Sequence, residues 1–356
     1  MKPRSNMERR PEVNDETARL RIADIARAAG VSVSTVSRIL NEKSDVSPRT
    51  RARVLGVIES TGYLPDPHAR LLASGRNDTI TLIYPIGTDG SDEVMLQFIV
   101  SANEVAADER FFFNLTTRET TEEQLMSIYR SGRVGGIILM QICLHDWRVA
   151  FLKERGLPFV MIGRTDDCDD LCYVDLDFEK AVTSIFDYLV GLGHRRIGYL
   201  ARTEAVRREQ LGPAVREMSG YRKSIRKHKL ERLYLSPESN FESHFESTQK
   251  LLQLQPDLTA IVTTWDEGVT GVVEALRSAG RRIPEEVSVV CSACTDKVAT
   301  SIIPAVTSVS IPSRVMGAAA ARMLVTRLRE PETPPEQLLL SPELKIRESA
   351  ASVYRS

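Results

Sequence analysis

Residues 31–40 read VSVSTVSRIL, with apolar and polar side chains alternating through the first six positions. Strict alternation is the mark of a half-buried strand, yet the neighbours argue for a helix. Upstream, IADIARAAG (22–30) spaces Ile22, Ile25, Ala26 and Ala29 at helical intervals and stops on Gly30. Ser32 then stands where an N-cap accepts from the backbone N–H of Ser34 or Thr35. Val36, Ile39 and Leu40 make one apolar face, leaving Val33, Ser34, Ser37 and Arg38 on the other. The spacing predicts two short helices joined by a tight turn. Ser47-Pro48 opens a third, with Ser as cap and Pro as first helical residue. It turns Val54, Val57 and Ile58 inward and ends near Thr61-Gly62. Three small helices leave the middle one exposed, carrying hydroxyls and one guanidinium. Hydroxyls bond phosphates and Arg bonds guanine in bidentate fashion, so the chemistry suits DNA. An ordinary amphipathic helix pair is the plainer reading of the local pattern.

The chain of 356 residues is long enough for two or three domains, and its 42% hydrophobic and 27% charged residues are those of a globular protein. Net charge is −1, which by itself says nothing about nucleic acid. The local balance does. Residues 19–76 hold ten Lys/Arg against five acids, a net of +5, while residues 1–18 are balanced. The remainder therefore carries −6, and a basic head on an acidic body fits a module facing phosphates. No apolar run reaches the ~18 residues of a membrane helix, and the first 20 residues lack the apolar core of a secretion signal. Five cysteines without such a signal suggest a reducing cytoplasm. Cys291-Ser-Ala-Cys294 has no second well-spaced pair, so no metal site is expected there.

YLPDPHARLLASGRND (63–78) reads as a linker with a short helix at ARLLA. From Thr79 onward short apolar runs alternate with helical ones. The runs are ITLIYPI (80–86), FFFNLT, GGIILMQ (135–141), PFVMIG (158–163) and CYVDLD (172–177). A second series follows with RRIGYLA (195–201), LYLS, TAIVTTW (259–265) and VSVVCSA (287–293). Strands alternating with helices imply parallel sheets covered on both faces, here two doubly wound lobes. Ligands of such folds bind at the carboxyl ends of the strands. There is no G-x-G-x-x-G after a strand, no P-loop, no G-x-S-x-G and no H-E-x-x-H. His194, between the helix-stopping Gly193 and a strand, reads as structural. No cofactor is expected, and a binding module fits better than an enzyme.

The segments IADIARAAGVSVSTVSRILN (22–41), VSPRTRARV (46–54) and GYLPDPHARLLASG (62–75) resemble the LacI/GalR family of bacterial transcription regulators. So do LPFVMIGR (157–164), LGHRRIGYL (192–200), TAIVTTWDEGVTGVVEAL (259–276), IPEEVSVV (283–290) and LLLSPELKIRES (338–349). The likeness covers roughly residues 20–350. It implies a small all-α helix-turn-helix head plus an α/β body of two doubly wound parallel-sheet lobes of the periplasmic-binding-protein type. The implied domains are a disordered tail (1–18), the DNA-binding head (19–63), a hinge helix or linker (64–78) and an effector-binding and dimerisation domain (79–356). Within the last, the N-lobe takes about 79–177 plus 308–337 and the C-lobe about 178–307 plus 338–352.

By the same resemblance Val33, Ser34 and Arg38 read bases, and Ser32, Ser37, Asn41, Ser47, Thr50 and Tyr63 bond phosphates. Leu72, flanked by Ala69 and Ala73, matches the hinge leucine that family members wedge into the minor groove. The implied partners are operator DNA, a second copy of the chain and a small-molecule effector, with no membrane. The effector cleft takes in Tyr84, Arg164, Phe178, Arg216, Glu217, Trp265, Asp266 and Ala293. Three departures stand out in it. Trp265-Asp266 replaces the Asn-Asp often seen in sugar-binding members, and Cys291-Ser-Ala-Cys294 replaces Gly-aromatic-Asp-Asp. Glu217 stands where their pocket arginine lies, with Arg216 shifted by one. A sugar, a different metabolite and an empty degenerate pocket are all compatible with that set. So, for the whole chain, are three functions: a regulator, most simply a repressor; a sugar-modifying or redox enzyme with a vestigial head; and a solute-binding protein.

Overall fold

The computed structural model describes residues 22–40, 45–61, 63, 78–85, 92–130 and 134–353. The chain divides into two units, Met1–Asn77 and Asp78–Ser356. In the first, α1 (Ile22–Ala29), α2 (Val33–Leu40) and α3 (Pro48–Thr61) surround one small core. The turn after α1 works because Gly30 adopts φ +63°, open to glycine without a Cβ clash. Both predicted caps are present, with Thr35 N donating to Ser32 Oγ and Thr50 N to Ser47 Oγ, each at 3.2 Å. Ile25, Ala26, Ala29, Val36, Ile39, Val54 and Tyr63 are buried together. Helical period wins over alternation at residues 31–40 because Val36 and Ile39 reach this core only on a helix.

The second unit holds two six-stranded sheets. The first contains β1 (Thr79–Ile83), β2 (Phe112–Thr116), β3 (Gly136–Leu139), β4 (Phe159–Ile162), β5 (Tyr173–Leu176) and β11 (Gln337–Leu340). Their spatial order is β11-β5-β4-β3-β1-β2, all parallel. The second contains β6 (Ile197–Leu200), β7 (Tyr234–Leu235), β8 (Ala260–Thr263), β9 (Ser288–Cys291), β10 (Thr307–Val309) and β12 (Leu344–Lys345). It is ordered β12-β10-β9-β8-β6-β7, with β12 alone antiparallel.

Helices Asp92–Asp108 and Ser313–Arg329 cover one face of the first sheet, and Glu122–Arg130 and Trp147–Glu154 the other. Helices Phe178–Gly191 and Gly212–His228 do the same for the second, opposite Phe241–Leu254 and Asp266–Ser278. His194 is buried at a seam, its ring nitrogens bonded to Thr259 Oγ1 and the Ala351 carbonyl, each at 3.0 Å. Among the described residues no helix is long and apolar enough to cross a membrane.

Three details differ from the sequence reading. Ser308 and Val309 belong to the second sheet, because β10 pairs with β9 and β12. Leu338–Leu340 belong to the first, because β11 pairs with β5. An apolar run such as LLL suits either sheet edge equally, so only pairing decides. RTEAVRREQLGPAV (202–215), whose lack of an apolar run reads in sequence as a long loop, is not a plain one. Thr203 caps a short helix, Glu204–Arg208, and Pro213 starts the next helix at Gly212.

Gly220 marks where helix Gly212–His228 crosses Phe178–Gly191. A Cβ there meets Glu179 O at 2.6 Å and Val182 Cβ at 3.1 Å. Gly220→Ala should therefore destabilise the protein by about 1–3 kcal/mol in urea unfolding. Gly191→Ala, with nothing within 4 Å, should be neutral or gain about 0.4–1 kcal/mol.

Candidate DNA interface and effector cleft

On α2 the side facing away from the core carries Val33, 45% exposed, with Ser34 and Arg38 also exposed. Arg38 Nη1 lies 3.1 Å from Asp45 Oδ2 on the surface, a pair held weakly enough to exchange for another acceptor. The Ser32 hydroxyl shares hydrogen bonds with Ser34 Oγ (2.7 Å) and Thr35 Oγ1 (2.8 Å), and Ser47 Oγ with Thr50 Oγ1 (2.8 Å). Ser37 and Thr50 are half-buried. Tyr63 packs its ring into the core at 6% exposure. Asn41, Ala69, Leu72 and Ala73 lie outside the described residues.

In the body, a partly open cavity lies between the two sheets. Its walls come from the carboxyl ends of strands: Tyr84 after β1, Gln141 after β3, Gly163 after β4, Arg202 after β6 and Trp265 after β8. Backbone bonds tie the lobes at its edge, from Leu144 N to Gln210 O (2.8 Å) and from Gly212 N to Ile142 O (2.9 Å).

Three buried ion pairs organise the walls. Arg202 donates to Glu217 through Nε (2.8 Å) and Nη2 (3.1 Å), with the two side chains only 3% and 2% exposed. The same guanidinium stacks 4.2 Å from the Trp265 ring centroid and 5.7 Å from that of Phe178. Arg164 Nε donates to Asp175 Oδ2 at 3.1 Å. Burial nevertheless pushes the Asp175 carboxyl up from 3.8 to about 6, outweighing the pull of Arg216 and Arg164. Arg148 pairs with Asp146 at 2.6 Å and donates from Nη2 to the carbonyls of Met140 (3.0 Å) and Gln141 (2.8 Å). Gln141 is thereby held at φ 54°, and its amide donates to Tyr84 Oη at 3.3 Å. Trp265 is also strained, at φ 63° and ψ 160°. Such backbone costs about 1–3 kcal/mol and persists only where the surroundings impose it.

Comparison with known proteins agrees with this geometry. Residues 21–66 match the family description "Bacterial regulatory proteins, lacI family", and residues 186–350 match "Periplasmic binding protein-like domain". The chain is 32% identical over 334 residues to the HTH-type transcriptional regulator CelR of Thermobifida fusca, covering 91% of this chain and 96% of CelR. The chain belongs to the LacI family. Catabolite control protein A of Priestia megaterium is 28% identical, covering 88% of this chain and 93% of its own. Among solved structures, a transcriptional regulator CelR–cellobiose complex superposes with a TM-score of 0.66 at 28% identity, covering 93% of this chain and all of that one. The lac repressor dimer bound to operator and the anti-inducer ONPF shares the fold, with a TM-score of 0.81 at 21% identity over 93% of this chain and 99% of its own. This LacI-family chain is thus a DNA-binding transcription regulator, not an enzyme.

Of the expected cleft residues, Tyr84, Phe178 and Trp265 line the cavity. Arg164 and Glu217 stand one layer behind, each gripping a residue that does line it. Arg216 donates from Nη2 to the Thr165 carbonyl at 3.3 Å. Asp266 is a correction: its carboxylate accepts from Thr295 N (2.8 Å) and Oγ1, pinning the loop after β9 instead of facing the cavity. Ala293 is buried and outside the lining, so it too is corrected. Cys294 is buried, its thiol pushed well up by a hydrogen bond with Cys291 and by burial. Gln141, Asp175 and Arg202 were missed. Each lies at a strand's carboxyl end, a signal that could have found them.

Two tests follow from the charges. Glu217→Ala removes the carboxylate that balances the buried Arg202 guanidinium and should lower the unfolding free energy by about 3–5 kcal/mol, read from denaturant titration. An Arg202→Met/Glu217→Leu double variant should recover most of that loss. Asp175 titrates near 3.8 when unfolded and at about 6 when folded, so the folded state binds more protons between these values. Its contribution is fully present below about pH 4 and is lost as pH rises through about 6. Asp175→Asn should flatten that part of the stability–pH curve.

Proposed function

We propose that this regulator is a cytoplasmic repressor that binds a pseudo-palindromic operator as a homodimer and is controlled by a small molecule in the inter-lobe cleft. The observation that carries the reading is the exposed Val33, Ser34 and Arg38 face of α2, opposite a core that fixes its orientation. Val33 offers apolar contact to a thymine methyl, and Arg38, released from Asp45, reads guanine. Ser32, Ser37, Asn41, Ser47, Thr50 and Tyr63 bond phosphates and set the register. The domain plan is a tail (1–18), head (19–63), hinge (64–78) and effector-binding and dimerisation body (79–356), with Leu72, between Ala69 and Ala73, entering the minor groove.

The cleft reading is supported by the position of the cavity at the carboxyl ends of the strands, where doubly wound sheets bind their ligands. The relative solved in complex with cellobiose makes a sugar one candidate for that molecule. Ligand closure of the lobes changes operator affinity, and DNA changes ligand affinity by the same factor.

Selection of bound duplexes from a random pool, at fixed salt, tests the proposal. The full chain should enrich one palindrome, and sedimentation should give a dimer on it. Arg38→Ala should lose about 1–3 kcal/mol and relax preference at one base pair per half-site. Unchanged affinity and base preference in that variant would remove the recognition-helix assignment.

A further inference from the structure

The cleft is poorly supplied for a polyhydroxylated ligand. Each hydroxyl of a sugar must regain the hydrogen bond that water provided, and a buried one left unpaired costs about 1–3 kcal/mol. Among the described residues, only Gln141, Asp175 and Arg202 bring an amide or a charge to the lining. Each already spends part of its hydrogen-bonding capacity, Gln141 on Tyr84, Asp175 on Arg164 and the Leu176 N–H, and Arg202 on Glu217, which leaves donors for one substituent rather than for a ring of hydroxyls. The end of β9 adds nothing, because Cys291, Ala293 and Cys294 are buried away from the cavity.

The rest of the wall is apolar. Met95, Met140 and Met316 bring three thioethers, joined by Phe98 and Ile311 and by the rings of Tyr84, Phe178 and Trp265. Thioethers and ring edges favour aromatic contact, and flat rings stack or meet edge-on. The chamber wall also carries backbone strain. Of the five described non-glycine residues with positive φ, Gln141 and Trp265 both line it, each held by a buried arginine or its contacts. Strain concentrated on two lining residues marks a built site, not a packing gap.

Resting on the reading of the cleft as the effector site, we infer that its inner chamber takes an aromatic ring bearing a single oxygen substituent rather than a sugar ring. The ring lies among the methionines and aromatic side chains, and the substituent accepts from Gln141 or Arg202.

The chain holds two tryptophans, Trp265 in this chamber and Trp147, 43% exposed, in a neighbouring cavity that shares Gln141 with it. Trp147→Phe in the full chain therefore leaves Trp265 as the only indole reporter. Titrating this protein with benzyl alcohol, glucose and cellobiose should give a saturable change in Trp265 emission with benzyl alcohol, at a concentration at least about tenfold below either sugar. Met95→Asp and Ile311→Asp, both at half-buried wall positions, should each weaken that response by about tenfold. If either variant loses its cooperative thermal transition, the ranking of the three probes on the parent protein decides. Saturation by a sugar at equal or lower concentration overturns the aromatic assignment and leaves the effector cleft standing. A lack of saturation by any of the three also overturns it. Operator selection is an independent measurement, so the regulator reading stands or falls separately.

Discussion

A parallel strand buried on both faces must hand every backbone polar group to a neighbouring strand and every side chain to a covering helix. The inner strands of both sheets meet that demand, with β3, β4, β8 and β9 buried at every residue. Parallel order follows from helical crossovers, and parallel order puts all carboxyl ends of a sheet on one side. Two such sheets, linked where β5 leads into Phe178–Gly191, where β10 leads into Ser313–Arg329 and between β11 and β12, share one cleft. The cavity is thus a consequence of strand direction before any lining residue is chosen.

What fills the strand ends is charge, and it is handled by pairing. Arg148–Asp146, Arg164–Asp175 and Arg202–Glu217 each bring one or two buried ions to the cleft wall. Such pairs add little net stability over apolar packing, because desolvation offsets attraction. Their value here is positional. Arg148 fixes the carbonyls that hold Gln141 in a left-handed conformation, and Arg202 clamps the Trp265 indole. Asp175 shows the balance from the other side, since burial outweighs two guanidiniums and leaves its carboxyl half neutral near pH 6.

The head solves a different problem. Its core of seven buried side chains is small, and two hydroxyl caps set where α2 and α3 begin. Both capping residues are exposed, so the side chains that define the helix starts also lie at the surface of the head. Arg38 forms a surface pair with Asp45 beside these caps.

Much of this was legible in the residues alone. Period, caps and the glycine stop identified α1–α3, and alternating apolar runs identified two parallel lobes and the side on which their strand ends open. Those features are local, carried by neighbours within a turn or a strand. The return strands could not be assigned, since Leu338–Leu340 and Ser308-Val309 suit either sheet until hydrogen bonds select one. Nor could the cleft wall be read through: Asp266 turned out to cap a loop, while Arg202 reached Glu217 across 15 positions to stand in front of it. Side-chain direction, pairing of distant charges and backbone strain at Gln141 and Trp265 depend on contacts between elements far apart in the chain. Tertiary structure alone decided them, because each is set by what lies across the cleft and not by what lies beside it in sequence.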